Sequence, residues 1–138
     1  MIELAAAINE EMPAYVLERI THLLNERQRP LKNASILLLG VTYKKDVNDI
    51  RESPALDVMQ GLLKEGAKVS YSDPFVPVLG RSASQKLTPA FLKKQDCVVI
   101  LTNHSSFPYP LVARYARLVF DTRNAMRPFR AGSHVHFL

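Results

Sequence analysis

The chain has 138 residues, 47% hydrophobic and 22% charged, an ordinary globular composition that supports one core. Its formal net charge of +5 suits an anionic partner such as a nucleotide or phosphate, and equally a soluble protein that is merely basic. Its basic residues are dispersed apart from Lys44-Lys45 and Lys93-Lys94, which argues against a nucleic-acid-binding arm, and its single cysteine, Cys97, excludes an internal disulfide and a zinc-binding thiol cluster.

Residues 2 to about 27 place Ile8, Met12, Tyr15, Val16, Ile20, Leu23 and Leu24 at helical spacing on one face. A long helix is expected, with Pro13 kinking it or marking where a second helix begins. The small apolar face from Ile2 to Ile8 has little to cover in a domain of this size and reads as an interface to a partner subunit or another domain. Ile36-Leu-Leu-Leu39 is apolar at every position, which suits a strand covered on both faces. Ser53 is placed to cap a helix that begins at Pro54, runs through Ala55, Val58, Met59 and Leu62, and ends at Gly66. Lys68-Val-Ser-Tyr71 then completes a βαβ unit and Asp73-Pro74 ends it.

The stretch Gly80-Arg-Ser-Ala-Ser reads as a polar surface loop and residues 89–94 as a short helix. Cys97-Val-Val-Ile-Leu101 is a second wholly apolar strand. Leu111 to Tyr115 reads as a helix, Arg117 to Phe120 as a strand and His134 to Leu138 as one more. This alternation predicts an α/β, Rossmann-like three-layer domain with a mostly parallel sheet and right-handed crossovers, preceded by the long N-terminal helix.

Chemistry is sought where the strands end, since open α/β sheets bind ligands there. The loop after the first strand holds one glycine, so the G-x-G-x-x-G dinucleotide fingerprint is absent. It offers Lys44, Lys45 and Arg51 near the start of a helix, a suitable anion site. A solvated turn in which Lys45, Arg51, Asp46 and Asp49 pair locally is the alternative. Asp73 either reads ribose hydroxyls or simply makes an Asp-Pro turn. Thr102-Asn103-His104 and Asp121-Thr-Arg123-Asn124 bring further polar groups to the same edge, which favours a ligand crevice. Cys97 reads as a small core residue. His104 is isolated, and His134 and His136 lack a carboxylate or cysteine partner for a metal.

The stretch from Gly40 through Tyr43-Lys44-Lys45-Asp46, Asp49 and Arg51-Glu52-Ser53-Pro54 to Val58 closely resembles the start of the C-terminal domain of the UDP-glucose/GDP-mannose dehydrogenase family. Its wording looks most like the branch acting on UDP-N-acetylglucosamine or UDP-N-acetylmannosamine. The likeness continues in Tyr71-Ser-Asp73-Pro74-Phe-Val-Pro77, in Thr102-Asn-His104-Ser-Ser-Phe107 and in Phe120-Asp121-Thr-Arg123-Asn124. The resemblance implies an enzyme that oxidises a sugar C6 alcohol to a carboxylate in two NAD-dependent steps through a cysteine thiohemiacetal. NAD would be bound by an N-terminal domain, and a long central helix would carry a dimer interface.

On this resemblance Tyr43, Lys44 and Arg123 match substrate-binding positions, and Arg51 matches a position that reaches the NAD phosphates. Residues 1–27 match the end of the central dimerisation helix, and residues 31–138 the UDP-sugar-binding domain. The family's catalytic Gly-Gly-x-Cys-Phe-Pro-Lys-Asp segment is absent, and Cys97 lies in the wrong context to replace it. No catalytic and no metal-binding residue is therefore assigned. The chain is expected to oxidise nothing by itself, to bind no NAD by itself, and to depend on a missing N-terminal dehydrogenase domain.

Its expected partners are a UDP-sugar and a second copy through the N-terminal helix, with no nucleic acid and no membrane. The longest apolar runs fall far short of the roughly 20 residues of a membrane span, and a cytoplasmic setting is expected. The alternative from a different class is a non-catalytic assembly or regulatory module that dimerises through that helix. An independent enzyme around Cys97 or His104 lacks a nucleophile, base and orienting group in any recognisable set.

Overall fold

The computed structural model describes residues 2–138, with side-chain surroundings from Met12 onward. Helix α1 spans Ile2–Glu26 and passes through Pro13, so no second helix begins there. The missing N–H of proline removes a single hydrogen bond, and the helical residues on either side carry the element across it. The apolar face from Ile2 to Ile8, expected to form an interface, lies outside the residues whose side chains are described.

Strand β1 (Ser35–Leu39) leads through a long loop to α2 (Pro54–Lys64) and β2 (Lys68–Ser72). The start of α2 follows its sequence closely. The Ser53 side chain accepts the Ala55 N–H and Pro54 occupies the first turn. At the other end Gly66 takes φ +86, the left-handed conformation that stops a helix at low cost to glycine.

The stretch expected to be a plain surface loop is instead a small hairpin, β3 (Val78–Leu79) with β4 (Ser82–Ala83), paired antiparallel around Gly80 at φ +60. Two-residue strands are too short to leave an alternating pattern, and the glycine that reads as a breaker is the turn itself. The chain continues through α3 (Pro89–Lys93), β5 (Cys97–Ile100), α4 (Tyr109–Tyr115), β6 (Val119–Asp121), a 3-10 turn and β7 (Val135–Phe137).

Five strands form one sheet in the order β2-β1-β5-β6-β7, every neighbouring pair parallel. Successive side chains of a strand enter opposite layers. Ile36 and Leu38 of β1 and Val99 of β5 pack with Val16, Ile20 and Leu62 of α1 and α2. Leu37 and Leu39, with Val98 and Ile100, face the opposite way, toward Leu92 of α3 and Val112 of α4. The continuous apolar runs are thus two interleaved faces, each covered by helices. Helices α1 and α2 approach so closely that a Cβ at Gly61 would lie 2.4 Å from Leu17 Cδ1.

After β1 the chain adds β2 on one side of it and then β5 on the other. That reversal places a topological switch point between the carboxyl ends of β1 and β5, where the loops 40–53 and 101–108 emerge.

Candidate functional site

Both loops at the switch point are held by buried polar groups. Asp73, 1% exposed, follows β2. Its Oδ2 accepts the Val41 N–H at 2.8 Å and meets His104 Nε2 at 2.9 Å, while its Oδ1 accepts the Phe75 N–H at 2.8 Å. Both oxygens of Asp73 are engaged and the residue is 1% exposed, which fits the Asp-Pro turn rather than a ribose-reading role. The Thr102 hydroxyl donates to the Thr42 carbonyl at 2.6 Å. Asp121, at the end of β6, accepts the N–H groups of Arg123 at 2.9 Å and Met126 at 2.6 Å.

His104 is not isolated. Its ring is fully buried, with Nε2 near Asp73 and the Thr42 hydroxyl and with Nδ1 accepting the Asp46 N–H at 2.8 Å. The Asp46 carboxylate accepts from both the N–H and the hydroxyl of Ser105, which hold its carboxyl below the usual carboxylate range. Asp46 therefore does not join a local charge cluster. The expected local pairing is realised only by Asp49 and Arg51, whose guanidinium donates to both Asp49 oxygens at 3.0 and 3.1 Å. Those bonds lower the Asp49 carboxyl and raise Arg51.

Tyr43, Lys44 and Arg123 remain turned outward, and all three line one cleft of about 790 Å³. Tyr43 is 42% exposed and the Lys44 ammonium sits 5.9 Å from its ring centre, a cation–π arrangement. Arg123 comes from the loop after β6. Its Nε donates to the Leu101 carbonyl at 2.8 Å, which fixes the guanidinium plane and leaves the rest of its donor fork for a ligand. The cleft floor is apolar, formed by Val16 of α1, Val58 of α2 and Leu101, and Glu52 stands at its rim. Arg51 is not among the lining residues. It belongs to a neighbouring groove of about 490 Å³ with Val47 and Asp49, which shares Tyr43, Lys44 and Glu52 with the cleft.

The turn after β1 does not fit a dinucleotide. Gly40 takes φ +85, and a Cβ there would lie 2.4 Å from Thr102 Cβ and 2.6 Å from the Thr102 carbonyl oxygen. The glycine admits the neighbouring loop, occupying the approach that a pyrophosphate uses in the glycine-rich fingerprint.

Cys97 is fully buried and burial pushes its thiol up to about 12, an inert core position. His134 Nε2 contacts the Ala113 carbonyl at 2.8 Å, and burial lowers His136. Among the described residues no cluster of three or more histidine, cysteine or acidic side chains is arranged to hold a metal, and no helix is long and apolar enough to cross a membrane.

Residues 37–128 match the model of the UDP-glucose/GDP-mannose dehydrogenase family, UDP binding domain. The chain is 33% identical over 135 residues to the UDP-N-acetyl-D-mannosamine dehydrogenase of Methanococcus maripaludis, covering 91% of this chain and 30% of that protein. With the UDP-glucose 6-dehydrogenase of Rickettsia bellii the identity is 28% over 141 residues, covering 92% of this chain and 31% of the relative. The solved UDP-D-ManNAc dehydrogenase of Pyrococcus horikoshii superposes with a TM-score of 0.81 at 25% identity, over 99% of this chain and 32% of that one. The chain thus spans about 30% of the length of the curated relatives it matches. The switch-point loops lie within the matched residues, and the chain belongs to the UDP-glucose/GDP-mannose dehydrogenase family as its UDP-binding domain.

Proposed function

We propose that the cleft beside α1 and α2 binds the UDP moiety of a UDP-sugar, as one wall of the active site of an NAD-dependent nucleotide-sugar 6-dehydrogenase. The observation that carries this reading is the convergence of Tyr43, Lys44 and Arg123, from two separate loops, on one cleft of about 790 Å³. That volume lies within the range of small-molecule sites. Lys44 and the fixed fork of Arg123 would neutralise the diphosphate, and the exposed Tyr43 ring offers an apolar face to the nucleoside. Glu52 at the rim supplies an acceptor for hydroxyl groups.

In this reading the domain contributes positioning and no chemistry. It orients the sugar C6 carbon against reacting groups that another domain carries, which is the larger part of what such a wall can supply. Arg51, in the adjoining groove, would extend toward the phosphates of a cofactor held by that other domain. The isolated chain would form no NADH from NAD and a UDP-sugar. A cytoplasmic location, a role in polysaccharide biosynthesis and pairing with a second copy through α1 belong to the same proposal.

Calorimetric titration with UDP tests it. Saturable binding by the chain is expected, weakened about tenfold in Lys44→Ala, the size of one good charge-assisted contact. No binding by the wild-type chain, or equal binding by the variant, overturns the assignment of this cleft.

A further inference from the structure

Tyr43 and Lys44 sit on an exposed loop, yet one buried imidazole hydrogen-bonds the backbone of Asp46 on one side of them and lies against the Thr42 hydroxyl on the other. Thr42 Oγ1 lies 3.1 Å from His104 Nε2, and the Asp46 N–H donates to His104 Nδ1 at 2.8 Å. The Thr42 hydroxyl also donates to the Lys44 carbonyl at 2.8 Å, which ties the dipeptide to the same bracket. Because Nδ1 accepts a backbone N–H, the ring hydrogen resides on Nε2 and is directed to Asp73 Oδ2 at 2.9 Å.

The ring itself has little freedom. It is fully buried, with Phe75 at 4.9 Å and Phe107 at 5.4 Å between ring centres, and its own carbonyl accepts the Tyr109 hydroxyl at 2.6 Å. Asp46, by contrast, stands at φ 61, a left-handed conformation that aspartate tolerates better than most non-glycine residues and that its contacts hold here. His104 holds its backbone and Ser105 holds its carboxylate.

We infer that His104 is a positioning residue, which orders the loop from Thr42 to Asp46 before ligand arrives so that Tyr43 and Lys44 already face the cleft. The inference rests on the proposed nucleotide site for its purpose. The ordering itself is a property of the unliganded loop. Such ordering lowers the entropy lost on binding, and its removal should appear in affinity as well as in stability.

Two substitutions separate the two nitrogens. In His104→Asn the side-chain oxygen can take the place of Nδ1 and keep the Asp46 N–H bonded. In His104→Gln the amide nitrogen can take the place of Nε2 and keep the Asp73 contact, leaving the Asp46 N–H without its acceptor. Amide hydrogen exchange of the unliganded chain is the first readout, at a temperature where both variants are folded. Loop amides at Tyr43 and Asp46 should exchange about tenfold faster in His104→Gln while those of β5 stay protected, and His104→Asn should resemble wild type. The UDP dissociation constant should then rise about fivefold in His104→Gln alone.

Equal loop exchange in wild type and His104→Gln overturns the inference, as does an equal loss in both variants. Should the variants fail to fold, the scalar coupling between Asp46 N and His104 Nδ1 in the unliganded wild-type chain decides. Its presence supports a preformed loop, and its appearance only with UDP overturns one. Faster loop exchange in His104→Gln combined with no UDP binding by wild type would remove the nucleotide reading and leave the positioning role standing.

Discussion

Two sets of polar side chains lie at the carboxyl edge of the sheet, and they differ in what they face. Asp73, Thr102, His104 and Asp121 are buried and engaged with backbone groups of the surrounding loops. Tyr43, Lys44 and Arg123 belong to the same loops and turn outward to one cleft. The first set fixes where the backbone goes, and the second is what that backbone presents. A residue type therefore does not disclose its role here: of the acids in this region, Asp73 and Asp121 build loops while Glu52 stands at the rim. The contrast predicts that the inner set can be broken only at a cost to folding, and the outer set only at a cost to binding.

The largest effect is expected from Asp73→Asn, which preserves shape and removes the second acceptor oxygen. With the amide nitrogen in place of Oδ2, it opposes the Val41 N–H and the hydrogen on His104 Nε2. Flipped, it opposes the Phe75 N–H instead. The first orientation leaves two buried donors unpaired and the flipped one leaves the part-buried Phe75 N–H, so a loss of about 1–3 kcal/mol is expected from the cost of such groups. Chemical denaturation measures it. A loss indistinguishable from zero would mean that the inner set is not what holds these loops.

An intermediate effect is expected from acid, acting where the two sets meet. The hydrogen bonds from Ser105 hold the Asp46 carboxyl below its ordinary value of 3.8. A carboxyl depressed in the folded state contributes stability that is fully present above the unfolded value and is lost as pH falls through the folded one. The Asp46–Ser105 contact should therefore survive to pH 4 and open only below it. Following the Ser105 amide resonance against pH should give a midpoint below 3.8, and a midpoint at or above that value would show that the contact is not formed in solution.

Much of the frame is legible in the sequence because its causes are local. The runs Ile36-Leu-Leu-Leu39 and Cys97-Val-Val-Ile100 announce strands covered on both faces, and Ser53-Pro54 and Gly66 bound α2 as their backbone preferences require. That Tyr43, Lys44 and Arg123 share an edge also follows from strand order alone, since each follows a parallel strand. What is not legible is which polar groups the fold consumes. Asp73 and His104 are 31 positions apart and Thr42 and His104 are 62 apart, so their partnership depends on sheet register and loop path, which leave no periodic trace. The presence of a histidine and an aspartate at strand ends of one sheet was the available signal, and it points to proximity without revealing burial. The β3–β4 hairpin escaped for a simpler reason: its strands are two residues long.

The smallest effect should come from Arg51, which tests where the outer set ends. Its side chain is exposed and pairs with the partly exposed Asp49 two residues away, a pair formed within one turn of loop and screened by water. Exposed pairs of this kind contribute little to stability, because the order imposed on two side chains offsets most of the attraction. Arg51 also stands outside the cleft that holds Lys44 and Arg123, in the adjoining groove. Arg51→Ala should therefore leave the melting temperature unchanged and the UDP affinity of this chain within about twofold of wild type, against the larger loss in Lys44→Ala. A tenfold loss on removing Arg51 would mean that the two grooves act as one site and that the nucleotide spans both. An unchanged affinity would leave Arg51 free to face a ligand that this domain does not hold, as the proposed shared site requires.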